Sequence, residues 1–409
     1  MKKVFFISLA FAMLVFSCSS TENELITKPT SKPLKVQSSI GTIYYIAQGG
    51  ISDHSNASTP YSIAWYFATY GAGNTYILNT PNTYYALNSK LTVPANSIFK
   101  GNSTTASEWK LAAGSGLNAG TMLAMKDSST IQSLCLNATR NASIIVNANS
   151  TKNVTIANCT LFETKNNFTT GTSIYTSLIM CSSSDGITIQ DCLLRRAGSE
   201  PILSTVDVKG YGILAWSIKN ATIIRNNIAY TATCGIDITG SSTVFIDTNV
   251  ISYTGQNRPS LTSGTTVGPI ADAITAYHNW NSLDENLTIT NNTISYAGNH
   301  GIHVSGKVLN IQNNTISNQQ LSGIMVDDWR TTSPGNEYSE NVIIKNNKCG
   351  DPLSWVWQPG NSNRKIFVDR VNNGTGITLD YTSNKNLSGV TLVVNSTNYH
   401  LPTLFGAHQ

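Results

Sequence analysis

Three of the six histidines in this 409-residue chain, His278, His300 and His303, fall in one short stretch, and Tyr277 adjoins the first. Asp327, Asp328, Trp329 and Arg330 follow, while Trp216, Lys219 and Asp237 precede them. Imidazole, phenol and carboxyl groups exchange protons, and a guanidinium or ammonium neutralises an anion. Such a set can take a proton from a carbon beside a carboxylate and return one to a leaving oxygen. Residues this far apart in sequence act together only if the fold stacks them, so the scaffold decides whether they form a site.

The scaffold is written as a repeat. Between residues 154 and 347 the pattern apolar-x-Ile-x-x-Asn recurs, as Val154-Thr-Ile, Ile187-Thr-Ile, Ala221-Thr-Ile, Val244-Phe-Ile, Leu287-Thr-Ile, Leu309-Asn-Ile and Val342-Ile-Ile. The sixth position holds Cys159, Cys192, Asn226, Asn249, Asn292, Asn314 and Asn347, at steps of 33, 34, 23, 43, 22 and 33 residues. A shortest step near 22, stretched by insertions, predicts an all-β solenoid, a parallel β-helix, with equivalent residues stacked about 4.8 Å apart. The asparagines are expected to form an internal amide ladder. Glycosylation-type sequences such as Asn291-Asn-Thr and Asn313-Asn-Thr recur beside this column and are read as structural. In the irregular early rungs Ile98, Leu111, Met122 and Ile131 are the expected inward positions. Tyr61 to Tyr70, after the helix start Thr59-Pro60, is expected to cap the open N-terminal end.

A second strand recurs after each ladder position and aligns on Ile213, Ile236, Ile274, Ile302 and Ile324. These isoleucines and the residues two later are apolar or small, so they face the core, and the residues between face outward. One position after the isoleucine stand Leu214, Asp237, Thr275, His303 and Met325; three after stand Trp216, Thr239, Tyr277, Ser305 and Asp327. His278, Asp328, Trp329, Arg330 and, on an earlier rung, Lys219 come just beyond. Insertions near 195–210, 254–271, 279–286 and 329–341 flank this strand, which makes it the floor of a groove. Tyr277, His278, His303 and Arg330 are the candidate catalytic residues. Trp216, Lys219, Asp237, His300, Asp327, Asp328 and Trp329 are the candidate binding residues. Asp272, just before its strand, is expected to order the preceding turn.

Carboxylate spacing argues against hydrolysis, which needs a pair about 5 Å or roughly 6.5–9.5 Å apart. Asp237 and Asp327 are separated by about 14 Å along the axis, and Asp272 and Asp327 by about 16 Å along the strand. Asp237 is the only acid in its column, so calcium is not indicated and no cofactor is called for.

The chain begins with Lys2-Lys3 and an apolar stretch from Val4 to Phe16, too short to span a bilayer. It ends in Val15-Phe16-Ser17-Cys18, which resembles a bacterial lipoprotein signal with Cys18 as the lipidated residue. The expected organisation is therefore a signal over 1–18, a flexible tether over 19–40 and one β-helix domain over 41–409. The resemblance implies export and anchoring at the outer membrane or cell surface. Six cysteines remain; Cys159 and Cys192 occupy the ladder slot and read as stacked inward thiols, and none shows zinc-ligand spacing. The formal charge of +4, of which Lys2 and Lys3 supply two units, does not suggest nucleic acid as a partner.

The repeat, the cap and the export signal resemble right-handed parallel β-helix polysaccharide lyases of the pectate-lyase-like superfamily, over roughly residues 42–390. The resemblance implies β-elimination on an acidic, uronic-acid-containing polysaccharide such as alginate or pectate. Tyr277, His278 or His303 would then be base or acid, and Arg330 or Lys219 would neutralise the carboxylate. The alternatives are a β-helix glycoside hydrolase of a sulfated or acidic glycan and a non-catalytic glycan-binding surface lipoprotein.

Overall fold

The ladder column sets the shape of every rung. The residue before each ladder position, Asn158, Asp191, Arg225, Thr248, Asn291, Asn313 or Asn346, has φ between 49° and 58°. Asparagine tolerates this left-handed conformation best among residues with a side chain, which explains the doubled Asn of Asn291-Asn292 and Asn313-Asn314. The first Asn bends the chain outward at the corner, and the second turns inward and is buried. Asn249 Oδ1 accepts the Asn226 backbone N–H at 2.9 Å and the Asn226 Nδ2–H at 3.0 Å. Its own Nδ2 donates to Ile223 O at 2.9 Å and to Asn292 Oδ1 at 3.0 Å. The pattern continues through Asn292, Asn314 and Asn347. It satisfies backbone groups that the corner would otherwise leave buried and unpaired. Cys159 and Cys192 are free, buried thiols in the same column, and the Cys192 N–H donates to Asn226 Oδ1 at 3.0 Å.

The structure, a computed structural model, describes residues 41–46, 63–78, 84–103, 110–165, 173–198, 207–255, 271–276, 284–326 and 339–350, with three short strands beyond, Ile366–Val368, Thr378–Leu379 and Lys385–Asn386. All of these lie in one compact unit, Ser39–Gln409. Cys18, the 19–40 segment, Tyr277, His278 and Asp327 to Arg330 lie outside the described residues.

Among the described residues, three parallel sheets of 12, 11 and 10 strands run along the solenoid, and each complete rung gives one strand to each. We call them sheets I, II and III, respectively. In sheet I the column Ile156, Ile189, Ile223, Ile246, Ile289, Ile311 and Ile344 stacks in register and is fully buried. Crossovers between parallel strands favour the right hand, which is the hand of this coil. The helix Ile63–Tyr70 lies at the N-terminal end, burying Ile63 and Phe67. The Phe67 ring meets Tyr76 and Phe99 edge-on at 4.7 and 5.2 Å. Among the early inward positions Leu111, Met122 and Ile131 are buried as expected, but Ile98 is not. Phe99 pairs with Ile131 and takes the inward place, so Ile98 is one residue out of register with the core.

Sheet III carries the strands Ser173–Met180, Asp207–Leu214, Ile236–Asp237, Ile274–Ala276, Ile302–Val304 and Ile324–Val326. Their register places Leu214, Asp237, Thr275, His303 and Met325 in one column. Each inward isoleucine is preceded by Gly or Ala that also faces inward. A Cβ on Gly235 would lie 2.6 Å from Ile251 Cγ2 and 2.7 Å from Ala273 O. Two consecutive inward residues bend the strand, so the side chains on either side of the pair both emerge on the outer face.

Candidate functional site

That bend creates two adjoining columns on the outer face of sheet III. Two positions before the isoleucine stand Tyr211, Cys234, Asp272, His300 and Ser322, aligned by the hydrogen bonds Gly235 N to Asp272 O, Ala273 N to His300 O and Gly301 N to Ser322 O. One position after it stand Leu214, Asp237, Thr275, His303 and Met325. Tyr211, Leu214 and Cys234 form a small apolar cluster separate from the core, joined by Met180 and Trp216. The polar residues of both columns come next along the axis.

At their centre Nδ1 of His303 lies 3.2 Å from Oδ2 of Asp272. The same oxygen accepts the Thr275 hydroxyl at 3.2 Å, and Oδ1 accepts the His300 backbone N–H at 2.9 Å. Burial pushes the Asp272 carboxyl up, but the hydrogen bond and charge of His303, with help from His300, hold it below its ordinary range. An ionised Asp272 can only accept, so His303 donates to it from Nδ1. His300 is set the other way. Its Nδ1 accepts the Ser322 N–H at 3.2 Å, which leaves the proton on Nε2. The two rings are 5.1 Å apart at 62°. The two imidazoles thus differ at Nδ1, which faces a carboxylate in His303 and accepts a backbone N–H in His300.

Asp237 is buried in the same column as His303, two strands away with Thr275 between them. Burial raises its carboxyl to about 6, against the pull of the Thr239 side chain and N–H and of the nearby Trp216 indole, while the Asp272 charge adds to the rise. Thr239 donates to Oδ1 through its hydroxyl at 2.7 Å and its N–H at 3.2 Å. The Trp216 Nε1 atom is buried without a hydrogen bond of good geometry. On the next turn Asp284 takes a place in an inner column with Thr151, Ser184 and Ser241. Its Oδ1 accepts the Ser241 N–H at 2.6 Å and its Oδ2 is buried without a partner. Burial, with the Asp237 charge, holds this carboxyl well above its ordinary range.

Asp272, His300 and His303 bring ligand atoms within 4.8 Å of one another. The hydrogen bonds oppose a metal here, because ligation through His300 Nε2 would need the proton on Nδ1, where Ser322 already donates. Two imidazoles are also poor company for calcium, which takes oxygen ligands.

His300 and His303 are brought together around Asp272, while Asp237 lies two strands from His303, beside Trp216. Lys219 is not on this floor. It opens the sheet I strand Lys219–Ile224, is exposed, and aligns with Asp185 and Ser242. Asp272 was expected to order a turn; it instead bonds the His303 ring. Strict alternation puts Asp272 on the core side with Ile274, and only the bend at Ala273 brings it out. Aligning the strands two positions before the isoleucine would have revealed it, since Cys234, Asp272, His300 and Ser322 then form a column. Tyr277, His278, Asp327, Asp328, Trp329 and Arg330 fall in stretches adjoining the strands of this site, outside the described residues.

Residues 211–398 match the family model described as "Right handed beta helix region". No curated protein matches the sequence. Among solved structures, the mutant tailspike protein of E. coli bacteriophage HK620 in complex with a pentasaccharide is similar at 10% identity and a TM-score of 0.53, covering 86% of this chain and 65% of that one. The pectate lyase Pel9A aligns at 12% identity and a TM-score of 0.48, covering 88% and 82%. Geobacillus virus E2 ORF18 aligns at 12% and 0.43, covering 68% of this chain, which spans only 50% of the length of that protein. The matched β-helix region, the stacked register and the three parallel sheets make the fold a right-handed parallel β-helix.

Proposed function

We propose that this protein is an exported polysaccharide lyase that cleaves an acidic, uronic-acid-containing polysaccharide by β-elimination. The observation that carries the reading is the contrast between the Nδ1 partners of the two imidazoles, the Asp272 carboxylate for His303 and the Ser322 N–H for His300. His303 Nε2, oriented through Nδ1 by Asp272, takes the proton from the carbon beside the sugar carboxylate. The His300 Nε2–H, assisted by Arg330, faces the charge that builds on that carboxylate. Asp237, protonated up to about pH 6, returns a proton to the glycosidic oxygen as its bond to carbon breaks and the new carbon–carbon double bond forms. One proton is taken and one is given, and no water is consumed. Tyr277 and His278, in the sequence next to this group, are further candidates for acid or base.

A hydrolase would need a second carboxylate able to activate water or attack the sugar. Asp272 is the neighbour of Asp237, and both its oxygens are already engaged. A glycan partner suits the fold, since a β-helix of similar form, the HK620 tailspike, was solved with a pentasaccharide. Cys18 would carry the lipid that holds the enzyme at the outer membrane, and Cys18→Ser should abolish palmitate labelling.

The test is incubation with alginate, pectate and chondroitin while following ultraviolet absorbance of unsaturated ends. Absorbance that disappears in His303→Ala supports the lyase. New reducing ends without absorbance would mean hydrolysis, and no product from any polymer would mean a binding protein.

A further inference from the structure

A second group of side chains stands on the outer face of sheet III, toward the N-terminal end from the acid–base group. Tyr175 lies on the strand Ser173–Met180 and pairs in register with Lys209 on the neighbouring strand Asp207–Leu214. Its ring stacks on Tyr211 with centroids 6.2 Å apart and planes within 6°, and meets Trp216 edge-on at 5.7 Å. Lys209 Nζ is 5.3 Å from the Tyr175 ring centroid. Tyr211 is buried, whereas Tyr175 remains 44% exposed. The core is filled from the inner faces of the sheets, so this aromatic layer is additional to it.

We infer that Tyr175 and Lys209 form a distal subsite for an acidic sugar of the same polymer that the acid–base group would cleave. An exposed aromatic ring backed by a second ring offers a flat apolar surface to the C–H face of a pyranose. An ammonium beside that ring supplies the counter-charge for a carboxylate or sulfate, which a neutral glycan would not need. Four strand spacings separate Tyr175 from His303, about 19 Å along the groove. Only a chain several sugars long reaches both. The inference rests on the acidic-polysaccharide reading for its ligand but not on the elimination chemistry.

Binding is therefore measured apart from turnover, by affinity electrophoresis of the full chain through gels holding alginate or pectate, with dextran as the neutral control. Retardation by at least one polyuronate and not by dextran is expected. Tyr175→Ala should weaken that retardation at least fivefold, Tyr175→Phe should keep it within twofold, and Lys209→Met should weaken it and flatten its salt dependence. These changes in a protein that yields no unsaturated product would retain the subsite and remove the lyase reading. Equal retardation of wild type, Tyr175→Ala and Lys209→Met in the polyuronate gels would overturn the subsite. Equal retardation of wild type by dextran would overturn its acidic specificity. Should Tyr175→Ala fail to fold, as judged by circular dichroism, Lys209→Met and Tyr175→Phe decide the matter alone.

Discussion

Nδ1 of His303 lies 3.2 Å from Oδ2 of Asp272, so an imidazole and the carboxylate that holds it come from adjacent rungs 31 residues apart in sequence. The pairing resembles the His–Asp half of a hydrolytic triad, in which the carboxylate fixes the tautomer without itself taking the proton. Here the carboxylate has no oxygen left over for other chemistry.

Asp272→Asn tests that role. The Asn amide would place N–H groups where His303 Nδ1–H now donates, and the ring would have to change tautomer. We expect kcat to fall by about 10²–10⁴ with KM little changed. A variant that keeps its kcat on the susceptible polymer would remove His303 as the base.

Ionisation of Asp237 should lower both turnover and stability, although the carboxyl itself is needed only for turnover. As the acid it must be protonated, so kcat/KM should decline above about pH 6. Its folded pKa is raised, so the folded state holds the proton more tightly than the unfolded chain does. The site adds no penalty below pH 3.8, the ordinary value, and its ionisation opposes folding as pH rises to about 6. Above that the penalty is roughly 3 kcal/mol. Asp237→Asn should therefore abolish turnover yet be more stable than wild type in urea at pH 8, with the advantage shrinking at pH 4. A variant less stable than wild type at pH 8 would contradict the burial argument.

Asp284 occupies a column otherwise rich in hydroxyls and leaves one oxygen unpaired. A serine there, as at Ser184 and Ser241, can accept the preceding rung's N–H without burying a carboxyl. Asp284→Ser should raise stability by about 1–3 kcal/mol. Because the folded pKa is raised, the gain should grow with pH, since ionisation is what the fold resists. A lower Tm than wild type across pH 5–8 would count against this.

Asn249→Ala tests the ladder. It strips partners from the Asn226 N–H, Asn226 Nδ2, Ile223 O and Asn292 Oδ1 in the interior. The expected loss is at least about 3 kcal/mol in urea unfolding. A loss under 1 kcal/mol would mean that the amide column is incidental.

The repeat alone determined the β-helix, the position of every ladder residue from Cys159 to Asn347, and the register that stacks Asp237, Thr275 and His303. Those features follow from a two-residue side-chain period and a fixed corner, both local properties of the chain. Tertiary structure decided the rest. Lys219 sits beyond the next corner, so nearness in sequence did not place it on the floor. Asp272 and His300 reach the outer face only because Ala273 and Gly301 share the inward side with Ile274 and Ile302, which breaks the alternation that sequence reading relies on. The hydrogen bonds of the two imidazoles likewise come from partners on other rungs, Asp272 for His303 and the Ser322 N–H for His300. No spacing within one strand specifies those bonds, because they form only when successive rungs stack.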